Sequence, residues 1–323
     1  MAGTPEWLRR VLPWVVFAAS IAATVVVVRQ RGEDFELLAA LDVRATLLLV
    51  VLQGVYLVVQ SGRFHVVLVK LGGARIEAWP WLRLFVLGRF LNLFLPQAGN
   101  VYRGVELKRR FGVGYTRFVA AFANAPWTAM VLNFGIGAAV VALTQPAERI
   151  GPWPLGLLLA CAAFAAALVP FALVPMLRLI PRRFRLLEWL HVRLSETLHV
   201  TLASLRDRVY LGRVLAWTLA AFVQAVVMLW VCFSAFGVEV GLAEAVAFYV
   251  LLQLATYLVV TPGNLGVQEL AFAGLATSMG AAAVEGIAVS GLLRVTGVMA
   301  LLLLALPFGG VEALRTSRST RHA

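Results

Sequence analysis

Apolar runs of bilayer-crossing length follow one another along the chain, at residues 11–28, 43–60, 79–96, 118–143, 153–177, 214–236 and 287–308, with a further, broken run at 245–280. A transmembrane helix needs about 20 predominantly apolar residues. Backbone in hydrocarbon must also satisfy its own hydrogen bonds, which leaves a helix bundle as the architecture for such a chain. Charged residues make up 14% of the sequence, where soluble domains carry about a quarter. The expectation is therefore an all-α, polytopic transmembrane helix bundle forming a single integral membrane domain over residues 1–323. A net charge of +12 would also suit a nucleic-acid binder. Here, however, the Lys and Arg residues cluster between apolar runs, as in cytoplasmic loops beside anionic lipid, so anionic lipid and not nucleic acid is the expected partner.

Charge also orders the spans. Arg9 and Arg10 precede the run at 11–28, which ends at Arg29 without a clear small-residue cleavage site, and this favours a first membrane helix over a signal peptide. The loop 29–42 is net acidic and reads as external. The connection holding Arg63, Lys70 and Arg75 and the one holding Arg103, Lys108, Arg109, Arg110 and Arg117 are both basic, so both are expected inside. A run with both ends inside cannot cross once. Residues 79–110 should then dip into the membrane and turn back around Pro96–Gly99; the competing arrangement is an ordinary span with one basic loop stranded outside. Residues 178–213 carry Leu187, Leu190, Leu194, Leu198, Leu202, Leu205 and Val209 at steps of three and four among eight Arg, the pattern of a cytoplasmic amphipathic helix. That helix separates a first half, 1–177, from a second, 214–310. A basic tail at 311–323 places both termini at the cytoplasmic side of a cytoplasmic (inner) membrane.

Each half contains one polar interruption. In the first, Gly88, Arg89, Asn92, Pro96, Gly99, Asn100, Arg103 and Glu106 break apolar sequence; in the second, Pro262, Gly263, Asn264, Gly266 and Glu269 do so. Gly99-Asn100 precedes Glu106-Leu107 by seven positions, and Gly263-Asn264 precedes Glu269-Leu270 by six. Paired Gly/Pro-interrupted segments in corresponding halves point to a transporter's binding site, because broken helices there expose polar groups to substrate. The stretch 245–280 is either two spans or a second re-entrant pair. In the latter case the two hairpins enter from opposite faces and form an inverted repeat.

At these residues the sequence resembles the lysylphosphatidylglycerol synthase transmembrane region family, a flippase-like family of integral membrane proteins. Its first motif is similar to Gly88, Arg89, Asn92, Pro96, Gly99 and Arg103, its second to Pro262, Gly263, Gly266 and Glu269, and an Arg in the last span is matched by Arg294. Asn100 stands where the family usually has Glu, and Asn264 where it usually has Gly. The resemblance implies lipid-linked work in the membrane.

Glu269 and Arg294 lie in otherwise apolar surroundings and should pair or face water. They form either a structural ion pair or part of a clamp in which Arg89, Arg103 and Arg294 grip a phosphate, with helix ends near Gly99 and Gly263 adding N–H donors and Asn92, Gln253 and Tyr257 extending the network. Two functions fit. One is a transporter moving a membrane lipid or polyprenyl-linked amphiphile with an anionic headgroup between leaflets. The other is an enzyme, or the intramembrane subunit of one, in lipid or glycan assembly, expected to lack a soluble transferase domain. No nucleotide-binding, metal or catalytic pattern stands out. Cys161 and Cys232 lie apart in apolar runs, and the four His form no ligand spacing, so no cofactor, metal or catalytic residue is expected.

Overall fold

The computed structural model describes residues 42–94, 97–144, 149–150, 152–178, 192, 195–196, 198–199, 201–257 and 266–309. The expected first span at 11–28, Pro96, Pro262, Gly263, Asn264, most of the basic stretch 179–200 and the tail lie outside the described residues. The chain is an all-α helix bundle apart from a two-residue ladder. Its elements are α1 (Val43–Gly72), α2 (Ala78–Phe94), α3 (Ala98–Phe111), α4 (Tyr115–Thr144), β1 (Arg149–Ile150), β2 (Trp153–Pro154), α5 (Leu155–Arg178), α6 (Arg208–Ala235), α7 (Leu242–Tyr257), α8 (Val267–Ser278) and α9 (Ala283–Ala305). Five helices, α1, α4, α5, α6 and α9, contain apolar windows of membrane-span length. The window in α1 is only 11% buried by protein, and exposed Val51, Val55, Leu143 and Phe164 are typical of the apolar surface left for lipid to cover.

Two boundaries differ from the charge-based expectation. The second span was expected over 43–60 with Arg63 and Lys70 in a loop, but α1 runs through both residues to Gly72. Its 30 residues extend about 45 Å at 1.5 Å per residue, longer than a hydrocarbon core of about 30 Å. The amphipathic stretch expected to reach residue 213 instead breaks at 205–207, and α6 starts at Arg208. Asp207 causes the restart: its Oδ1 accepts the N–H groups of Val209 and Tyr210 at 3.0 Å each, a helix cap. Its other oxygen takes Lys70 Nζ at 2.5 Å.

The described residues form two compact units. In the first, residues 42–54 and 224–303, aromatic contacts link α6, α7 and α8: Phe233–Phe248 and Phe248–Phe272 ring centroids are each 5.2 Å apart. Side-chain amides close carbonyls between helices, with Gln53 Nε2 donating to Leu293 O at 3.1 Å and Gln224 Nε2 to Leu52 O at 3.0 Å. In the second unit, residues 55–223 and 304–309, Phe64, Trp81 and Phe85 stack beside Val67, Leu68, Leu107, Val113 and Val214. Trp81 Nε1 donates to Ser61 O at 2.8 Å, and these contacts set α1 antiparallel to α2. α4 and α5 pack along their length, joined by Trp127 Nε1 donating to Ala166 O at 2.8 Å. Asn124 donates to Thr201 at 3.0 Å. Asn124 and Trp127 of α4 thus bond to neighbouring segments, as polar side chains between membrane helices do.

Candidate functional site

α2 and α3 form an antiparallel hairpin, with Gly88 against Gly99, Phe85 beside Arg103, and Trp81 and Leu84 in one cluster with Leu107. Their 17 and 14 residues give lengths of about 25 and 21 Å, each short of a hydrocarbon core. The hairpin is tight because both contact positions lack a side chain. A Cβ on Gly99 would run into the Gly88 carbonyl oxygen, and one on Gly88 would sit 2.6 Å from Arg103 Nε. Gln97, at the turn, has φ 66, the one positive φ outside glycine among the described residues. It caps α3 through its backbone: its carbonyl accepts the N–H of Asn100 and Val101. Asn92 completes the cap from α2, its Oδ1 accepting the Gly99 N–H at 2.7 Å. At the far end, Gly112 with φ 68 and Val113 turn back onto the carbonyls of Lys108 and Leu107 in a Schellman ending.

Arg103 lies inside the hairpin, 3% exposed. Its Nε donates to Gly99 O at 3.2 Å and an Nη to Asn100 Oδ1 at 2.5 Å, and Asn100 in turn donates to Gln97 Oε1. Both acceptors are neutral. Glu106, the nearest acid in sequence, is committed to Arg109 and Arg110. The guanidinium carbons of Arg103 and Arg89 lie 5.4 and 5.6 Å from the Phe85 ring centroid, although Arg89 itself is exposed. Among the described residues no carboxylate pairs with either arginine. Beside the site, Gln97 and Asn100 begin a groove of about 450 Å³ that continues between α3 and α4 over Val101, Val105, Phe118 and Phe122.

In the other unit, α8 begins at Gly266, which has no side chain to cap with and sits at φ 81. Glu269 at the third helical position supplies the missing acceptor: its Oε2 takes the Gly266 N–H at 2.6 Å, and its Oε1 takes Arg294 Nη2 from α9 at 2.7 Å. A Cβ on Gly286 of α9 would meet the Phe272 carbonyl, so α8 and α9 approach backbone to backbone. The ion pair expected from sequence is present. The N–H donors at Gly99 and Gly266, where α3 and α8 begin, are already spent on Asn92 and Glu269, so they differ from the open anion donors expected near the helix ends. Gln253 is half-buried on α7, and the side chain of Tyr257 is not among those described.

One candidate site residue was missed in the sequence. Tyr56, Gln60 and Arg63 follow steps of four and three along one side of α1, with Gln60 Nε2 donating to Tyr56 Oη at 2.6 Å. Arg63 is half-buried and close enough to Arg89 for their charges to repel, and its buried Nε has no hydrogen-bond partner among the described residues. Its helical spacing from Tyr56 and Gln60 was the available signal.

A family model, the lysylphosphatidylglycerol synthase TM region, matches residues 11–305. The chain belongs to that family. It is a multi-pass membrane protein of lipid-related function. Neither the curated proteins nor the solved structures contain a significant match.

Proposed function

We propose that this family member moves an amphiphile with an anionic headgroup, a phospholipid or polyprenyl-linked phosphate, between the leaflets of the cytoplasmic (inner) membrane. The observation that carries this is the buried Arg103 guanidinium, held among the described residues by neutral acceptors only. An arginine in mid-membrane costs about 2.5–3.5 kcal/mol on insertion scales. A cation–π contact returns roughly 0.5–2 kcal/mol. Phe85 alone therefore does not offset two arginines, and a phosphate gripped by their planar forks does. Hydrocarbon attached to that phosphate has the groove between α3 and α4 beside it.

In this reading α2 and α3 form a re-entrant hairpin whose basic end, Lys108–Arg110, stays in the cytoplasm with both chain termini. α7 and α8, of 16 and 12 residues, form a second hairpin entering from the opposite face. In this reading the two hairpins are an inverted repeat, an arrangement that suits a transporter better than an enzyme. Arg294, already neutralised by Glu269, holds the second hairpin to α9.

Reconstitution in liposomes with fluorescent phosphatidylglycerol and phosphatidylcholine, scored by an impermeant quencher, tests the proposal. Faster exchange of the anionic lipid is expected, with Arg103→Lys impaired at unchanged melting behaviour because Lys keeps the charge and loses the fork. Wild-type exchange in Arg103→Lys, or no anionic exchange by the wild type, refutes it.

A further inference from the structure

The geometry points to a site for a doubly charged headgroup, a phosphomonoester or diphosphate lipid, with Arg63 as its third cation. This rests on the proposed anionic-lipid function and narrows its substrate class. Three helices contribute one guanidinium each: Arg63 from α1, Arg89 from α2 and Arg103 from α3. Phe85 lies under two of them, and Arg89 is close enough to Arg63 and to Arg103 for mutual repulsion. None is paired with a carboxylate among the described residues, and Glu106 is held by Arg109 and Arg110.

Charge counting then selects among headgroups. A phosphodiester such as phosphatidylglycerol brings one negative charge and leaves two of the three cations without a counter-charge, at greatest cost where Arg103 is buried. A phosphomonoester brings nearly two above its second pKa of about 6 and offers three oxygens to forked donors. Arg63 supplies what the second charge needs: its buried Nε has no acceptor among the described residues. The Tyr56 hydroxyl, on the same stripe of α1, is a further polar neighbour of Arg89.

The test is lipid binding to the purified full-length chain in detergent, measured by native mass spectrometry with dioleoyl phosphatidate, dioleoyl phosphatidylglycerol and dioleoyl phosphatidylcholine. At about pH 8 phosphatidate, its second proton largely lost, should bind at least about tenfold tighter than phosphatidylglycerol, a ratio equivalent to 1.4 kcal/mol. Lowering the pH to about 5.5, below the second phosphate pKa near 6, should erase most of that advantage. Phosphatidylglycerol binding should hold steady over the same range, which controls for titration of the protein. Arg63→Gln should bring the two anionic lipids within about threefold of each other, less than 1 kcal/mol. Equal affinity for phosphatidate and phosphatidylglycerol at the higher pH overturns the dianion assignment and leaves the anionic-lipid function standing. Equal affinity for all three lipids overturns both. The pH comparison is made on the wild-type protein and decides the question even if Arg63→Gln does not fold.

Discussion

Gly99→Ala tests the hairpin that organises the site. The added methyl would overlap the Gly88 carbonyl oxygen and stand 2.9 Å from Asn92 Oδ1. The first obstacle is backbone, so no rotamer relieves it and α2 and α3 must part. Parting them breaks the 2.7 Å bond from the Gly99 N–H to Asn92, a net loss of about 0.5–1.5 kcal/mol, and leaves a helix N-terminus uncapped. Overpacking adds about 1–3 kcal/mol, for a total destabilisation of roughly 1.5–4.5 kcal/mol. Gly135→Ala in α4 is the control: a Cβ there meets nothing within 4 Å, so relief of glycine's helix penalty should make it neutral or stabilising by up to about 1 kcal/mol. Equilibrium unfolding in mixed micelles of rising denaturing-detergent fraction gives both values. If Gly99→Ala matches wild type, the close approach of α2 and α3 does not exist as described. A fall equal to that of Gly135→Ala would likewise remove the special role of position 99.

Glu269→Gln should destabilise by about 1.5–3 kcal/mol in the same assay: the amide can still accept the Gly266 N–H, but it loses the charge facing Arg294, whose side chain is 30% exposed and so keeps part of its hydration. A value near zero would show that the pair is solvated and structurally idle. Lys70 donating to Asp207, with the Tyr210 N–H as a second donor, holds the Asp207 carboxyl below its ordinary value, so the contribution of this cap is full above about pH 4 and is lost as pH falls through the depressed folded value. Lys70→Met should therefore weaken the wild-type protein at neutral pH and lose its effect in acid; an effect that grows in acid would contradict the pairing.

The broken apolar runs and the polar residues at the breaks were enough to mark both interruptions and to pair Glu269 with Arg294. What sequence concealed was the use made of each polar group. Glu269 reads as a counter-ion, and it is also the acceptor that a side-chain-free start at Gly266 requires. The same device recurs where Glu244 takes the Gly241 N–H at 2.9 Å and Glu285 takes the Ala282 N–H at 2.8 Å. A residue without a capping side chain followed three positions later by Glu is half of a capping box, and its repetition at 241–244, 266–269 and 282–285 was the overlooked pattern. Arg63 was concealed differently. Counting charges assigns it to a loop, whereas helix periodicity, through Tyr56 and Gln60, keeps it on α1. Asn92 looked like a substrate contact because its partner, the Gly99 N–H, lies across a break that no periodicity spans.

The two motifs thus treat their arginines in opposite ways, and Asn100 decides the difference. In α8 and α9 a carboxylate neutralises Arg294 from within the protein. In α3 the equivalent service to Arg103 comes from an amide oxygen, which fixes the guanidinium without cancelling its charge. The family resemblance places Glu at this position, where a substrate anion would have to compete with an internal one. Asn100→Glu should then close the site: a carboxylate three residues before Arg103 and in the first turn of α3 gains a charge-assisted bond and the helix dipole, stabilising the protein by about 1–3 kcal/mol. The same change should reduce anionic-lipid binding at least about tenfold, since 1.4 kcal/mol of competition suffices. Stability and binding moving in opposite directions is a signature that a damaged fold does not produce. Unchanged lipid binding in Asn100→Glu, with the stabilisation present, would show that Arg103 meets no substrate and that its open charge serves the fold alone.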